Sequence, residues 1–324
     1  MIKLRALILL IFVFGGLHRV AAQQDTARIL SGNVNDARGG QEGRVKKHPK
    51  PQLVAKLPQA LNETSGLVYA GGQLWTINDG GNEPALYRID TAIGSVMRKV
   101  TLSNAGNIDW ESLTQDDSCI YVGDFGNNYG NRKNLRIIKI SKHILLNPAN
   151  DSVQAGTISF TYADQVDVSS GLNKTNFDCE AFFYYDDSLH LFSKNWTDQQ
   201  TRHYILPAAE GKYQAYPIET FNADGLITDA AFNKNGEIVL LGYKNTGGSF
   251  WNCFLWIFED AGNGRLSGKN HTRVELGSAL NLGQAEGLAF GEAGKLWISS
   301  ERISPGWVHL PARLFKVDLS KFSR

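Results

Sequence analysis

Ser65-Gly66-Leu67-Val68-Tyr69-Ala70-Gly71-Gly72-Gln73-Leu74-Trp75-Thr76-Ile77 reads as two apolar strands joined by a tight glycine turn. Its first strand opens on an oxygen-bearing residue, continues through small and apolar residues, and is answered by an aromatic-rich return strand. The same unit recurs as Glu111-Ser112-Leu113 with Ile120-Tyr121-Val122-Gly123, and as Glu180-Ala181-Phe182-Phe183-Tyr184 with Leu189-His190-Leu191-Phe192. It recurs again as Asp229-Ala230-Ala231-Phe232 with Ile238-Val239-Leu240-Leu241, and as Glu286-Gly287-Leu288-Ala289-Phe290 with Leu296-Trp297-Ile298-Ser299. Third strands follow at 85–89, 135–140, 203–206, 254–258 and 314–317, and fourth strands at 97–102, 157–162 and 272–276. The long step between Glu111 and Glu180 is taken up by a loop from Asp164 to Phe177.

Antiparallel four-stranded units recurring about every fifty residues describe propeller blades. A β-sandwich supplies strands but gives no reason for matching heads. The expectation is therefore an all-β, five-bladed β-propeller, with six blades as the alternative count. The last unit has three strands, and the orphan strand Leu53–Leu57 is placed to complete it, closing the ring and removing two exposed edges.

The 324 residues, 42% of them hydrophobic and 20% charged, exclude global disorder. A balanced charge of +1 argues against nucleic acid as a partner. Residues 1–22 carry a basic start, an apolar run and an Ala-Ala ending, the pattern of a signal peptide and of export to the periplasm or beyond. The polar stretch 23–50 reads as a disordered leader, and 51–324 as a single propeller domain. No membrane span is expected, and a monomer is. Cys119, Cys179 and Cys253 have no metal-binding spacing; a Cys119–Cys179 bridge and three buried thiols are both open readings.

In such a ring the first strand of each blade lines the central channel, so Ser65, Glu111, Glu180, Asp229 and Glu286 converge on one end of it. Clustered carboxylates either take up protons or hold a cation. An all-oxygen set suits calcium, which takes six to eight such ligands, and the lack of Cys or His argues against zinc or copper. The alternative is a wet channel with no ion. The loops on that face bring Asn78, Asp79, Asp124, Asn127, Asn128, Arg132, Lys194, Trp196, Lys244 and Arg302, a set suited to a small anionic or sugar-like ligand.

These heads resemble the calcium-activated nucleotidases (apyrase family), five-bladed propellers with a calcium ion in the channel. The matching residues are Ser65, Glu111, Glu180 and Glu286-Gly287; the first hairpin and Tyr121-Val122-Gly123 also match. The resemblance implies calcium-dependent hydrolysis of nucleotides. Two positions depart from it: Asn78-Asp79-Gly80 stands where that family carries paired Asp followed by Arg, and Asp229 stands at a Ser-like head. Asp109-Trp110-Glu111 and Gly123-Asp124-Phe125-Gly126-Asn127-Asn128 also look like a group of uncharacterised exported bacterial propellers.

The expected function is an exported propeller with a central calcium site that binds, and as an enzyme hydrolyses, a small phosphorylated ligand such as a nucleotide. In the enzyme, Asp79 or Asp124 would activate water and Arg132 or Lys194 would stabilise charge. The alternative is a non-catalytic ligand- or protein-binding propeller. No P-loop, G-x-S-x-G elbow or H-E-x-x-H motif is present.

Overall fold

A computed structural model describes residues 50–166, 171–245, 251–259, 261–304 and 309–319. The expected signal peptide and nearly all of the leader lie outside the described residues, as does part of the 164–177 loop.

The described residues open with strand β1 (Gln52–Lys56) and a short turn of 3-10 helix, Gln59–Leu61. A meander follows: β2 (Thr64–Ala70), β3 (Gln73–Asn78), β4 (Ala85–Ile89) and β5 (Val96–Leu102). The next stretch comprises β6 (Trp110–Gln115), β7 (Cys119–Asp124), β8 (Leu135–Ser141), helix α1 (Lys142–Leu146), β9 (Ser152–Val153) and β10 (Gly156–Tyr162). Then come β11 (Cys179–Tyr185), β12 (Ser188–Ser193), β13 (Thr201–Pro207) and β14 (Gly211–Phe221). After them run β15 (Leu226–Phe232), β16 (Ile238–Lys244), β17 (Asn252–Phe258) and β18 (His271–Ser278). Helix α2 (Ala279–Leu282) leads into β19 (Gln284–Phe290), β20 (Lys295–Glu301) and β21 (Arg313–Asp318).

The molecule is all-β and propeller-like. β2 packs beside β6, β6 beside β11, β11 beside β15, β15 beside β19, and β19 beside β2, so the innermost strands run round a ring. Each sheet fans outward from its innermost strand. Apolar layers fill the spaces between consecutive sheets: Trp75, Ile77 and Leu86 pack against Leu113, Val122 and Ile138 in one, and Leu74 and Tyr87 pack against Trp297 and Leu314 in the layer that joins last sheet to first. Burial on both faces explains why the inner strands read as continuous apolar runs instead of alternating ones.

Three features refine the sequence reading. β1 pairs with β21 (Leu53 opposite Phe315), completing the last sheet as the orphan strand implied. Strand β14, which lacks an apolar run, is added to β13 and also pairs in parallel with β10 from Ile158–Gly211 to Tyr162–Ala215, fusing two fans into one eight-stranded sheet. All three cysteines are unpaired thiols, so the Cys119–Cys179 bridge does not form.

Every innermost strand carries a β-bulge at the same place, between Thr64 and Leu67, Trp110 and Ser112, Cys179 and Ala181, Ile227 and Asp229, and Ala285 and Gly287. A bulge frees one residue from the ladder and re-aims its side chain. The extra residue is Glu111, Glu180, Thr228 or Glu286, with Ser65 in the matching place on β2. The fourth head is therefore Thr228. Asp229 lies one residue further on, and because side chains alternate along a strand, that slip changes its neighbours entirely.

Candidate functional site

Three of the heads, Glu111, Glu180 and Glu286, are buried carboxylates at one end of the ring. Asp79, at the end of β3, and Asp109, just before β6, join Glu111: one oxygen from each of the three lies within 4.8 Å of the others. Two glycines make the room. A Cβ on Gly126 would fall 2.0 Å from Glu111 Oε1 and 2.6 Å from Asp109 Oδ2, and one on Gly80 would fall 2.4 Å from Asp109 Oδ1. The Gly80 N–H donates to Asp79 Oδ1, and Asn107 Nδ2 pins the Asp79 carbonyl at 2.9 Å. Among the described residues no hydrogen-bond donor or cation meets the Glu111 carboxylate, although only 6% of the residue is exposed.

The electrostatics follow from burial and crowding. Burial, with the Asp109 charge beside it, pushes Asp79 up to about 8. Burial and Asp178 push Asp109 up to about 6, against the pull of Arg132. Glu111 is raised well above the usual range by burial and then by Glu180, Asp79 and Asp109. Glu301, at the end of β20, is raised for the same reasons, with Asp79 and Glu286 as its charged neighbours. Such a pocket holds protons or a cation. A buried acidic cluster of this kind can bind a metal ion, and its all-oxygen donor set fits a hard divalent one.

The other half is occupied by Lys194. Its Nζ lies 3.1 Å from Glu180 Oε2, with both side chains 5% exposed, and over the rings of Trp196 at 5.0 Å and Tyr243 at 5.3 Å. Burial opposes its charge, but Glu180, Tyr243 and Glu286 hold its pKa well above the ordinary lysine value. Asp178 is fixed by Trp196 Nε1 at 2.8 Å and the Asn127 N–H at 2.6 Å, and Glu286 accepts from Gln284 Nε2 at 2.6 Å.

The remaining expected residues divide. Asp124, read as an alternative base, is fully buried and clamped by Arg132 at 2.9 Å and Arg136 at 2.8 Å. Arg132 also donates to the Gly126 carbonyl at 2.7 Å, and the Asn127 side chain accepts from the Arg132 N–H, so these residues brace the loop. Asn78 donates to the Ala60 carbonyl at 2.8 Å, away from the acids. The Asn128 carbonyl accepts from Asn173 N–H. Lys244 pairs with Asp224, and Arg302 reaches Ser304 Oγ at 3.1 Å on the exposed surface. Ser65 and Thr228, the hydroxyl heads, donate to the Glu111 and Ala285 carbonyls of the neighbouring strands. Asp229 accepts from Ser112 Oγ, its neighbour Ala230 N–H and Leu288 N–H, so it fastens strands together, with Glu286 still among its charged neighbours.

Asp109, Asp178, Glu301 and Tyr243 belong to the site without having been given a role in it from sequence. A signal for two of them exists. Two residues before the heads stand Glu63, Asp109, Asp178 and Gln284, giving Asp109-Trp110-Glu111 and Asp178-Cys179-Glu180 as a repeated acid-x-Glu. Glu301 and Tyr243 carry a second signal: they lie on return strands opposite Gln284 and Leu226, the position that Asp79 and Lys194 hold opposite Glu63 and Asp178.

No known protein family and no curated protein matches the chain. Among solved structures, it is similar to a glutaminyl cyclase from Myxococcus xanthus, at 16% identity and TM-score 0.46 over 83% of this chain and 96% of that one. It is also similar to a Xanthomonas campestris gluconolactonase, at 12% identity and TM-score 0.42 over 79% and 71%. An Escherichia coli soluble aldose sugar dehydrogenase matches at 8% identity and TM-score 0.41 over 83% and 99%. No helix among the described residues is long and apolar enough to cross a membrane.

Proposed function

We propose that the chain is an exported, monomeric five-bladed propeller that holds a calcium ion at the acidic end of its ring and uses it to bind and hydrolyse a small phosphorylated ligand. Residues 1–22 serve as its signal peptide and 23–50 as its leader. The observation that carries the reading is the Asp79–Asp109–Glu111 group, with oxygens within 4.8 Å and a buried Glu111 carboxylate that no described donor meets. Asp109 and Glu111 would hold the ion. When bound, the ion supplies polarisation of a phosphoryl oxygen. Asp79, partly covered and titrating at about 8, is suited to take a proton from water and return it to the leaving group. The hydroxyl residue Thr228 at the fourth head also agrees with the nucleotidase resemblance better than Asp229 did.

A second reading, a binding propeller without turnover, is favoured by one observation. Arg132, Lys194 and Lys244 are each already paired with a carboxylate, which leaves them poor stabilisers of developing charge. The test is phosphate release from nucleoside di- and triphosphates and sugar phosphates, with calcium and with chelator. Calcium-dependent release abolished in Asp79→Asn, with calcium still bound, supports the enzyme. Calcium-dependent ligand binding without release supports the second reading. Absence of calcium binding in the wild type, or its survival in Glu111→Gln, rejects both.

A further inference from the structure

The acidic chamber is chemically lopsided. On one side Glu180 lies against an ammonium at 3.1 Å, Asp178 accepts two N–H donors, and Glu286 accepts an amide. On the other, Glu111 meets no donor among the described residues, and Arg132 approaches Asp109 only to 4.0 Å because its guanidinium is committed to Asp124 and the Gly126 carbonyl. The chamber thus has one half that already holds a cation of its own and one half that does not.

We infer that Lys194 is a tethered counter-cation that reserves the Glu180–Glu286 half, so that the chamber takes a single divalent cation at the Asp79–Asp109–Glu111 half and admits a second only when the ammonium is removed. The inference rests on the reading of the chamber as a cation site. The ammonium is held where a metal ion would otherwise sit. The Lys194 N–H donates to the Asp178 carbonyl at 2.7 Å, which fixes the start of the side chain. The ring faces of Trp196 and Tyr243 flank its tip at 5.0 and 5.3 Å, a favourable setting for a desolvated cation. Trp196 is itself oriented by its bond to Asp178, so the carboxylate, the indole and the ammonium support one another. Removing the ammonium alone strands Glu180, Glu286 and Asp178 as buried acids without a cation, and a buried charge that loses its partner seeks another. The replacement best matched to three carboxylates is an oxygen-preferring divalent ion.

The experiment is calorimetric titration of calcium chloride into the chelator-stripped mature chain, for the wild type, Lys194→Met, Glu111→Gln and the double variant. The expected stoichiometries are one, two, none and one. A Lys194→Met protein that binds one ion, as the wild type does, overturns the role of Lys194 and leaves the proposed function standing; no ion in either overturns both. A wild type that binds none beside a Lys194→Met protein that binds one supports the reserved half and rejects the Asp79–Asp109–Glu111 site. Lys194→Gln serves as the second variant. Should both substitutions unfold the stripped protein, refolding yield of the double variants with Glu111→Gln, with and without excess calcium, reads the same question: calcium-dependent recovery supports the inference, and equal yields overturn it.

Discussion

The Ser112 hydroxyl donates to the Asp229 carboxylate at 2.5 Å, joining β6 to β15 across the middle of the ring. These strands are not neighbours in the cyclic order, so the bond is a cross-tie. The second Asp229 oxygen takes the Leu288 N–H of β19 at 2.5 Å, so one fully buried side chain holds three inner strands. Burial raises its pKa well above the ordinary range even though all three of these donors pull it down.

Asp229→Ala is therefore expected to damage stability and to spare cation binding. It leaves a hydroxyl and two N–H groups buried without an acceptor, each costing about 1–3 kcal/mol. A total loss of roughly 3–5 kcal/mol should appear in denaturant unfolding. Calcium affinity, measured on the folded fraction, should stay near that of the wild type. A selective loss of calcium binding would return Asp229 to the ligand set.

Gly126→Ala tests the open half by shape. The added methyl occupies the space of Glu111 Oε1 and Asp109 Oδ2. Calcium affinity should fall at least about tenfold, or about 1.4 kcal/mol, while the melting temperature in chelator moves little. Unchanged calorimetric affinity would show that these two carboxylates do not act together.

The metal-free chain should be most stable at about pH 4 and weaken on both sides, because above that pH the two carboxyl protons kept by the fold outnumber the one imidazole proton taken by the unfolded chain. Asp79 titrates at about 8 and Asp109 at about 6 in the fold, against an ordinary 3.8. Above 3.8 the folded chain keeps protons that the unfolded chain has lost, so stability falls as pH rises toward 8. On the acid side, burial and then His203 push His190 from 6.5 down to about 3. The folded ring stays neutral while the unfolded one takes a proton, a cost that builds from pH 6.5 downward and sets the direction only below about 3.8, where the unfolded carboxyls are protonated too. Melting temperatures in chelator should trace this bell. Asp79→Asn should flatten the alkaline limb and His190→Gln the acid one. Calcium should lift the alkaline limb, since the ion replaces the protons there.

Removing residues 50–57 should unfasten the last sheet. It deletes the β1–β21 ladder and the 2.8 Å bond from Leu57 N–H to the Ala312 carbonyl, and it bares the edge of β21. A loss of roughly 2–4 kcal/mol is expected, together with concentration-dependent association through the bared edge. Unchanged melting and light scattering would remove β1 from the closure.

The architecture was legible because inner strands buried on both faces leave an unmistakable apolar record, as in Leu67-Val68 and Phe182-Phe183, and because their turns carry glycine or acidic pairs. Strand β14 left no such record: its side chains are mostly exposed, and its place is set by backbone pairing to β13 and β10. The fourth head was misplaced by one residue because Thr228 and Asp229 both offer oxygen, and only the bulge decides which of them is freed from the ladder. Glu111, Glu180 and Glu286 were legible as a group. The occupation of Lys194 and Arg132 by carboxylates was not, since pairing depends on distances between strands remote in the chain.

The Ser112–Asp229 tie has a consequence for traffic. It joins β6 to β15 across the ring, and with it in place the cation site proposed above would have a single door. An ion held as proposed would then leave by the way it entered, past the loops that carry Asp79, Gly80 and Gly126. Anything seated on those loops becomes a stopper, slowing escape without touching the ion. Dwell time then becomes a property of the doorway, adjustable by whatever the loops hold, while the far end of the ring has no say in it.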